Sequence, residues 1–256
     1  MEMSIFIIIF FLGASIGSFL NVVAIRIQKE ESFVSGASSC PKCGRRIKPW
    51  EMIPIISYFL IIRGKCRGCD SKVSLRYPLA EIICGILFLI VFSKFKMEYQ
   101  TLYYWNFVAI LFVVTLVDFD SKIIPDEFLI YGAITGIIMN YIFKFIEWKD
   151  ILLGSLSGGG FFLAIFLFSL LVLKKEGMGF GDVKFMAMNG IYLGLLNNMF
   201  AGILSFYIGL LVVIPLLLMK KKGVGSEVPF GPFIAIASIV SFLFGKDIIN
   251  WYLTMM

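Results

Sequence analysis

Two aspartates stand where apolar stretches of the chain meet polar segments, and both are candidates for acid–base chemistry. Asp118 closes an apolar run in the string Leu-Val-Asp-Phe-Asp, and Asp182 follows the alternating glycines Gly177, Gly179 and Gly181. An ionisable group at a membrane is costly and by default suggests function. Two carboxyl groups that meet, one protonated and one ionised, can activate water and protonate a leaving amine. Because the chain has no histidine, this pattern favours an aspartyl protease centre.

Four cysteines form two CxxC pairs, Cys40 with Cys43 and Cys66 with Cys69, and 22 residues separate the pairs. Each pair lets two thiolates approach one ion from a tight turn, so two pairs complete a tetrahedral four-sulfur zinc site. Such a site has no open coordination position, and its zinc is therefore expected to be structural. Disulfides or free thiols are the alternatives, although a reducing cytoplasm disfavours disulfides. The fifth cysteine, Cys84, lies in an apolar run and is predicted to be a small core residue.

Other interpretations of the two aspartates remain open. Each could cap a helix or pair with Lys122 or Lys184. Acids within membrane spans also carry protons or cations in ion-coupled transporters, but a transporter gives the four cysteines no role. A membrane scaffold that docks a partner through its zinc knuckles is a further alternative.

Long apolar runs must position these residues. Of the 256 residues, 59% are hydrophobic and 16% are charged, which is more apolar material than one soluble core of this size can hide. Since a bilayer span needs about 20 apolar residues, we predict an all-α polytopic membrane protein with about eight transmembrane helices. The predicted spans are 3–25, 77–92, 102–117, 128–145, 151–173, 183–196, 200–219 and 230–256.

The distribution of Lys and Arg predicts the orientation, because loops rich in these residues stay in the cytoplasm. With the amino terminus outside, the inner segments contain 18 Lys and Arg residues and the outer segments contain five. Both aspartates and the polar segment 29–76 then face the cytoplasm. The predicted division is a first transmembrane helix (1–28), a small cytoplasmic four-cysteine zinc module (29–76) and a multi-helix membrane aspartyl peptidase domain (77–256). We interpret the net charge of +6 as a topogenic signal and expect no nucleic-acid partner.

The ordered set of motifs resembles the type IV prepilin peptidases, which are bifunctional aspartyl peptidases and N-methyltransferases of bacterial membranes. The resemblance runs nearly from end to end. It rests on Gly-Ser-Phe-Leu-Asn-Val-Val at 17–23, both CxxC pairs, Arg-Tyr-Pro followed by Glu81, the GxGD string ending at Asp182, and Pro-Phe-Gly-Pro at 229–232. Presenilin-like proteases also carry GxGD, but they have a Pro-Ala-Leu tripeptide near the end that this chain lacks.

The resemblance implies that Asp118 and Asp182 are the catalytic pair. It implies prepilin or pseudopilin substrates, precursors that serve type IV pili or protein secretion and carry a short basic leader ending in glycine. Cleavage after that glycine exposes an amino group, which the family methylates with S-adenosylmethionine. The implied location is the bacterial cytoplasmic (inner) membrane, with lipid around the spans and the catalytic site on the cytoplasmic side.

Binding residues are expected in two places. The glycine segment is predicted to pair with an extended scissile peptide, and its substrate-binding candidates are Gly177, Gly179, Gly181 and Lys184. By resemblance, the methyl-transfer site is expected beside the zinc module, and its cofactor-binding candidates are Asn21, Arg26, Arg76 and Glu81. Arg76 and Glu81 could instead form an ion pair at a helix end. The Pro-Phe-Gly-Pro string is typical of a turn that begins a helix.

Helix direction predicts which aspartate carries the proton. Asp118 should lie at the carboxyl end of a helix, where the dipole and an apolar wall favour the protonated acid. Asp182 should lie at an amino end, where free N–H groups favour a carboxylate that acts as the base.

Overall fold

The computed structural model describes residues 2–29, 38–172, 174, 177–218 and 228–255. Within these ranges the chain is helical, with no β-strand beyond two isolated bridges. The helices are α1 (Glu2–Gln28), α2 (Arg76–Phe95), α3 (Tyr99–Ser121), α4 (Asp126–Phe143), α5 (Trp148–Val172), α6 (Phe180–Leu218) and α7 (Gly231–Met255). A 3₁₀ turn (Pro49–Met52) and a π-helical turn (Ser57–Ile61) lie between α1 and α2. The predicted all-α fold is confirmed.

Helix α6 folds back on itself at Gly194, whose backbone has φ 69° and ψ −172°. The side-chain amide of Asn198 donates to the carbonyl of Met186 over 3.0 Å, although the two residues are 12 positions apart. In a straight helix they would be separated by about 18 Å. Segments 180–193 and 195–218 are therefore two antiparallel arms. They correspond to the predicted spans 183–196 and 200–219, except that the turn is earlier and Met219 lies outside the described residues.

Six helices are long and apolar enough to cross a membrane, judged by length and composition over the described residues. They are α1, α2, α3, α5, α6 and α7, so the shorter α4 is not among them. Counting the arms of α6 separately gives eight helical segments in the described part of the chain, in agreement with the prediction of about eight. The chain is a multi-pass membrane protein. Residues 173 and 256, which end two predicted spans, lie outside the described ranges.

The chain forms two compact units, Met1–Met97 and Glu98–Met256. The first unit contains α1, the cysteine segment and α2. The second contains α3 to α7. The functional division at residues 28 and 76 stays a prediction, since compactness does not say which segment performs which reaction.

In the first unit, α1 and α2 approach each other closely through small residues. A Cβ on Gly17 would lie 2.5 Å from the Cβ of Cys84 and 2.9 Å from the carbonyl of Ala80. Only glycine permits this separation, because any side chain would push α2 away. Cys84 is fully buried in this contact, which is the core position expected for it. The close packing holds the end of α1 beside the start of α2.

In the second unit, four helix ends meet at one edge, which we call the acidic edge. The start of α7 bonds to Asp118 in the last turn of α3. The start of α6 bonds to the start of α4 through Lys184 and Asp126. At the opposite edge, Asp150 accepts the N–H of Leu195 over 3.0 Å and so caps the second arm of α6. The acidic edge is therefore formed by the last turn of α3 and the first turns of α4, α6 and α7.

Candidate functional site

Asp118 occupies the last turn of α3 and is only 4% exposed. Lys122, the residue after the last residue of α3, has a left-handed conformation, and its N–H bonds to the carbonyl of Asp118 over 2.9 Å. The Oδ2 atom of Asp118 accepts a hydrogen bond of 2.8 Å from the N–H of Gly231, a residue 113 positions away. One oxygen of this carboxyl group is thus fixed, and Oδ1 is the oxygen left for chemistry.

Gly231 is a site residue that the sequence argument missed. The Pro-Phe-Gly-Pro string does begin a helix, as expected, but its glycine also touches the aspartate. A Cβ on Gly231 would lie 2.8 Å from Oδ2 of Asp118, a separation that side chains do not tolerate. The signal in the sequence was the two prolines, Pro229 and Pro232, that enclose Phe230 and Gly231, because proline restricts the backbone conformation.

If Asp118 is catalytic, as the resemblance implies, replacing Gly231 by alanine should slow its reaction without unfolding the bundle. The new methyl group must displace the carboxyl group, and a displacement of about 1 Å costs on the order of 100-fold in rate. The measurement is kcat for cleavage of a precursor peptide, together with the thermal stability of the variant. Gly160→Ala is the matched control, because a Cβ at Gly160 meets nothing within 4 Å. Equal rates for both variants would show that the contact between Gly231 and Asp118 does not matter.

Asp182 lies in the first turn of α6 and is 5% exposed. Its N–H donates to the carbonyl of Gly179 over 3.1 Å. The charges of Asp182 and Asp118 are close enough to interact, so the structure brings the two predicted catalytic residues together at the acidic edge. Neither carboxyl group forms an ion pair among the described residues. Asp118 and Asp182 therefore do not pair with Lys122 or Lys184, which was the alternative considered from the sequence.

Each glycine of the segment 177–181 makes a different contact beside Asp182. A Cβ on Gly181 would lie 3.0 Å from the Cβ of Ile124, so this glycine lets α6 approach the α3–α4 connection. Gly177 donates its N–H to the Ser169 hydroxyl over 3.4 Å. Gly179 accepts from Asp182, as described above. Helix α6 begins at Phe180, so Gly177 and Gly179 are non-helical, whereas Gly181 lies in the first turn of the helix.

Lys184 forms an ion pair with Asp126 at the start of α4, and both side chains are partly exposed. The ammonium group also lies 5.6 Å from the ring centre of Phe180. These contacts tie α6 to α4 at the acidic edge. They give Lys184 a structural partner beside Asp182, while its contact with substrate stays a prediction.

The four predicted zinc ligands converge in the first unit. Their sulfur atoms all lie within 4.8 Å of one another. The distances between Sγ atoms are 3.9 Å for Cys40 and Cys69 and 3.9 Å for Cys43 and Cys66. A tetrahedral zinc with Zn–S bonds of about 2.3 Å needs sulfur atoms about 3.8 Å apart. The residues are thus placed to hold a metal ion, and they fit zinc.

The two CxxC segments are structural copies of each other. In the first, Gly44 donates its N–H to the carbonyl of Cys40 over 2.9 Å, and in the second Asp70 donates to Cys66 over 2.9 Å. Gly44 and Asp70 both have positive φ, at 70° and 52°. Each segment is closed by one isolated bridge, Ser39 with Arg46 and Lys65 with Lys72. This repeat was not visible in the sequence because few residue types are shared.

Hydrogen bonds favour the thiolate form of two of the four cysteines, Cys40 and Cys69. The backbone N–H groups of Cys43 and Lys42 lower the pKa of the Cys40 thiol to about 6. The hydroxyl and N–H of Ser71 lower the pKa of the Cys69 thiol. A metal binds thiolates and not thiols, so these donors reduce the cost of deprotonating Cys40 and Cys69.

Replacing Gly44 by alanine should weaken metal binding about fivefold. No atom lies within 4 Å of the added Cβ, so the whole effect is the strain of a left-handed alanine, on the order of 1 kcal/mol. Competition with a chromogenic chelator on the full-length protein measures the metal affinity. Gly44→Asp should cost less, because Asp70 adopts the same conformation in the second copy. A larger loss for aspartate than for alanine would contradict this explanation.

The four candidate cofactor residues all lie in the first unit, in two arrangements. Asn21, which is fully buried, accepts a 2.9 Å hydrogen bond from Nε of Arg76. Glu81 accepts the N–H of Ile55 over 2.7 Å. Arg76 and Glu81 therefore do not form the ion pair considered from the sequence. Arg26 and Glu81 line a cavity of about 900 Å³ that the cysteine segment shares with α1 and α2.

Comparison with known proteins decides the family. The sequence model of the bacterial peptidase A24 N-terminal domain matches residues 11–95, and that of the type IV leader peptidase family matches residues 105–214. A prepilin leader peptidase/N-methyltransferase of Pseudomonas putida is 33% identical over 93% of this chain and 90% of its own length. The chain belongs to the type IV leader peptidase family.

Relatives in other bacteria agree with this assignment. A prepilin leader peptidase/N-methyltransferase of Bacillus subtilis is 32% identical over 97% of this chain and 98% of its own. Another from Stutzerimonas stutzeri is 34% identical over 94% of this chain and 91% of its own. No solved structure matches the chain. The leader peptidase match contains both Asp118 and Asp182, whereas Gly231 lies beyond its last matched residue.

Proposed function

We propose that this enzyme cleaves the leader of type IV prepilins and pseudopilins after a glycine, and then methylates the new amino terminus with S-adenosylmethionine. The relatives carry the name prepilin leader peptidase/N-methyltransferase over nearly the whole chain. The single observation that carries the peptidase proposal is the meeting of Asp118 and Asp182, two buried carboxyl groups without a cation partner in the described part of the chain. Two buried carboxyl groups whose charges interact can share one proton and work as a unit.

The hydrogen bond from Gly231 constrains how the pair works. Because an N–H only donates, Oδ2 of Asp118 acts as an acceptor, and a proton on this residue belongs on Oδ1. In the proposed reaction one aspartate takes a proton from water as the water attacks the scissile carbonyl. The other gives its proton to the leaving amine. The predicted roles, with Asp118 as acid and Asp182 as base, are consistent with this geometry when the proton occupies Oδ1.

The acidic edge suits a substrate that is partly in the membrane. We propose that it faces the cytoplasm, with the amino terminus of the enzyme outside, as the excess of Lys and Arg in the inner segments predicts. The apolar helix of the precursor then lies among the spans, and its basic leader stays in the cytoplasm. The non-helical glycines before Phe180 offer backbone groups to the extended scissile segment. Lys184 is proposed to contact the substrate next to Asp182.

The cofactors are assigned from the chemistry of the first unit. We propose a structural zinc ion held by Cys40, Cys43, Cys66 and Cys69, because the sulfur spacing fits it. S-adenosylmethionine supplies the methyl group when bound. Arg26 and Glu81 line the cavity, and the bonded pair of Asn21 and Arg76 braces α1 against α2 beside it. A charged and partly apolar cavity of this size fits a cofactor.

The test of the proposed function uses the purified full-length protein in detergent. The substrate is a synthetic precursor with a basic leader ending in Gly, followed by Phe and an apolar helix. Mass spectrometry should find cleavage after that Gly, and one added methyl group on the new amino terminus when S-adenosylmethionine is present. A precursor whose leader ends in Leu is the control. An ion-coupled transporter or a zinc-knuckle scaffold would give no shortened product, and that result would refute the proposal.

A further inference from the structure

The cavity in the first unit has a volume of about 900 Å³. This is near the upper end of the range of small-molecule sites, about 300–1,000 Å³. Its wall includes Ser18 and Arg26 from α1, Tyr58 from the π-helical turn, and Glu81 from α2. The cavity therefore has room for a cofactor together with the end of a peptide.

Glu81 is the unusual residue in this wall. It is only 7% exposed. Its Oε2 atom accepts the N–H of Ile55 over 2.7 Å. No Lys or Arg of the described residues forms an ion pair with it. Burying a carboxylate without a nearby cation costs free energy, unless a bound ligand neutralises its charge.

The backbone that holds Glu81 is itself strained. Ile55 has a φ of 64°, which is rare for a β-branched residue. The N–H of Ile56 bonds to the carbonyl of Pro54 over 2.6 Å, so Ile55 is the centre of a tight three-residue turn of the strained kind. Strain of this type persists where the surroundings over-determine it, and it is concentrated at functional sites. The N–H of this strained residue, Ile55, donates its hydrogen bond to the carboxyl group of Glu81.

The charges around the cavity select the kind of group that Glu81 would bind. Among the described residues, seven Lys and Arg residues also line the cavity, and the other acid there, Glu51, forms an ion pair with Arg45. Hydrogen bonding from the Lys48 N–H, followed by the contact with Arg45, lowers the pKa of Glu51 despite its burial. Glu51 is therefore already satisfied. In the described part of this wall, Glu81 is the carboxylate that an incoming cation can still neutralise.

We propose that Glu81 binds the α-ammonium group of the cleaved precursor in this cavity and removes its proton for methyl transfer. This inference rests on the proposed function. The proton passes from nitrogen to Oε1 of Glu81, and the free amine then attacks the methyl carbon of the sulfonium cofactor. A C–N bond forms, the C–S bond breaks, and the neutral thioether leaves with the electron pair of the broken bond.

The test compares Glu81→Gln with Glu51→Gln in the full-length protein. In Glu81→Gln the amide oxygen of the new side chain still accepts the Ile55 N–H, so the variant keeps its fold and loses only the charge and the base. Methyl transfer to a pre-cleaved peptide with a free amino terminus should fall about 100-fold, the usual effect of losing a general base. Affinity for that peptide should fall as well, while affinity for its N-acetylated twin is unchanged. Glu51→Gln should methylate like the wild type.

Three further measurements make the result decisive. Metal content, affinity for S-adenosylmethionine and cleavage of the precursor should match the wild type in Glu81→Gln. The proposal assigns Glu81 to the amine and not to the cofactor, for which the resemblance made it a candidate. A loss of cofactor affinity would therefore overturn the proposal. A loss of metal, or an unchanged methylation rate, would also overturn it. If the wild type itself transfers no methyl group to the peptide, the proposed methyltransferase function fails instead.

Discussion

Replacing either Asp118 or Asp182 by asparagine should abolish leader cleavage, with a rate at least about 1,000-fold below that of the wild type. Asparagine has nearly the same shape, and its carbonyl can still accept the N–H of Gly231. It cannot exchange a proton with water or with the leaving amine, so the chemistry stops while the packing is preserved. The measurement is the initial rate of appearance of the shortened peptide by mass spectrometry.

The double variant and a neighbouring acid complete this test. Because the two aspartates act as one unit, the double variant should be no slower than either single variant. Asp126→Asn is the matched control, since Asp126 lies at the same edge but is already paired with Lys184, and it should keep most of the activity. Normal cleavage by either Asp118→Asn or Asp182→Asn would remove the basis of the aspartyl peptidase mechanism.

The parts of this site that sequence reasoning could find are those with a local signal. Asp182 follows a glycine string that no helix interior favours, and the cysteines occur in two short pairs of fixed spacing. Apolar length alone predicted the spans, because a helix in lipid must be long and continuous. Each of these signals lies within a few tens of residues.

The parts that it missed depend on contacts between distant segments. Gly231 reaches Asp118 across 113 positions, and Asp150 caps the second arm of α6 across 45. The turn at Gly194 needs both a positive φ and space beside Asp150, where a Cβ would collide with the carboxyl group. A glycine in an apolar run looks the same whether it packs a helix or reverses the chain. Only the partner segment decides which of the two occurs.

Removing the metal should unfold the segment between α1 and α2, which is the second large effect that we expect. The described part of this segment has two short helical turns and two isolated bridges, and most of its large apolar side chains are exposed, including Trp50, Met52, Ile53 and Phe59. Such a segment buries too little to fold on its own. Structural zinc contributes an apparent free energy of roughly 10–16 kcal/mol in small metal-bound folds.

The substitution that tests this is Cys66→Ser, with Cys84→Ala as the matched control. Cys66→Ser should lower the bound metal, expose residues 38–75 to proteolysis, and end methyl transfer because the cavity shares this segment. Cys84→Ala removes the thiol that lies outside the metal cluster and keeps the Cβ that packs against Gly17, so it should retain the metal.

Metal content, protease cleavage and methyl transfer must change together if the ion holds the segment. Elemental analysis gives the metal per chain, and mass spectrometry of limited digests gives the sites of cleavage. A Cys66→Ser protein that loses its metal but resists proteolysis over residues 38–75 would show that the packing against α1 and α2 is sufficient without the ion. The metal would then have a role other than folding, and the packing against α1 and α2 would hold the cavity wall in place.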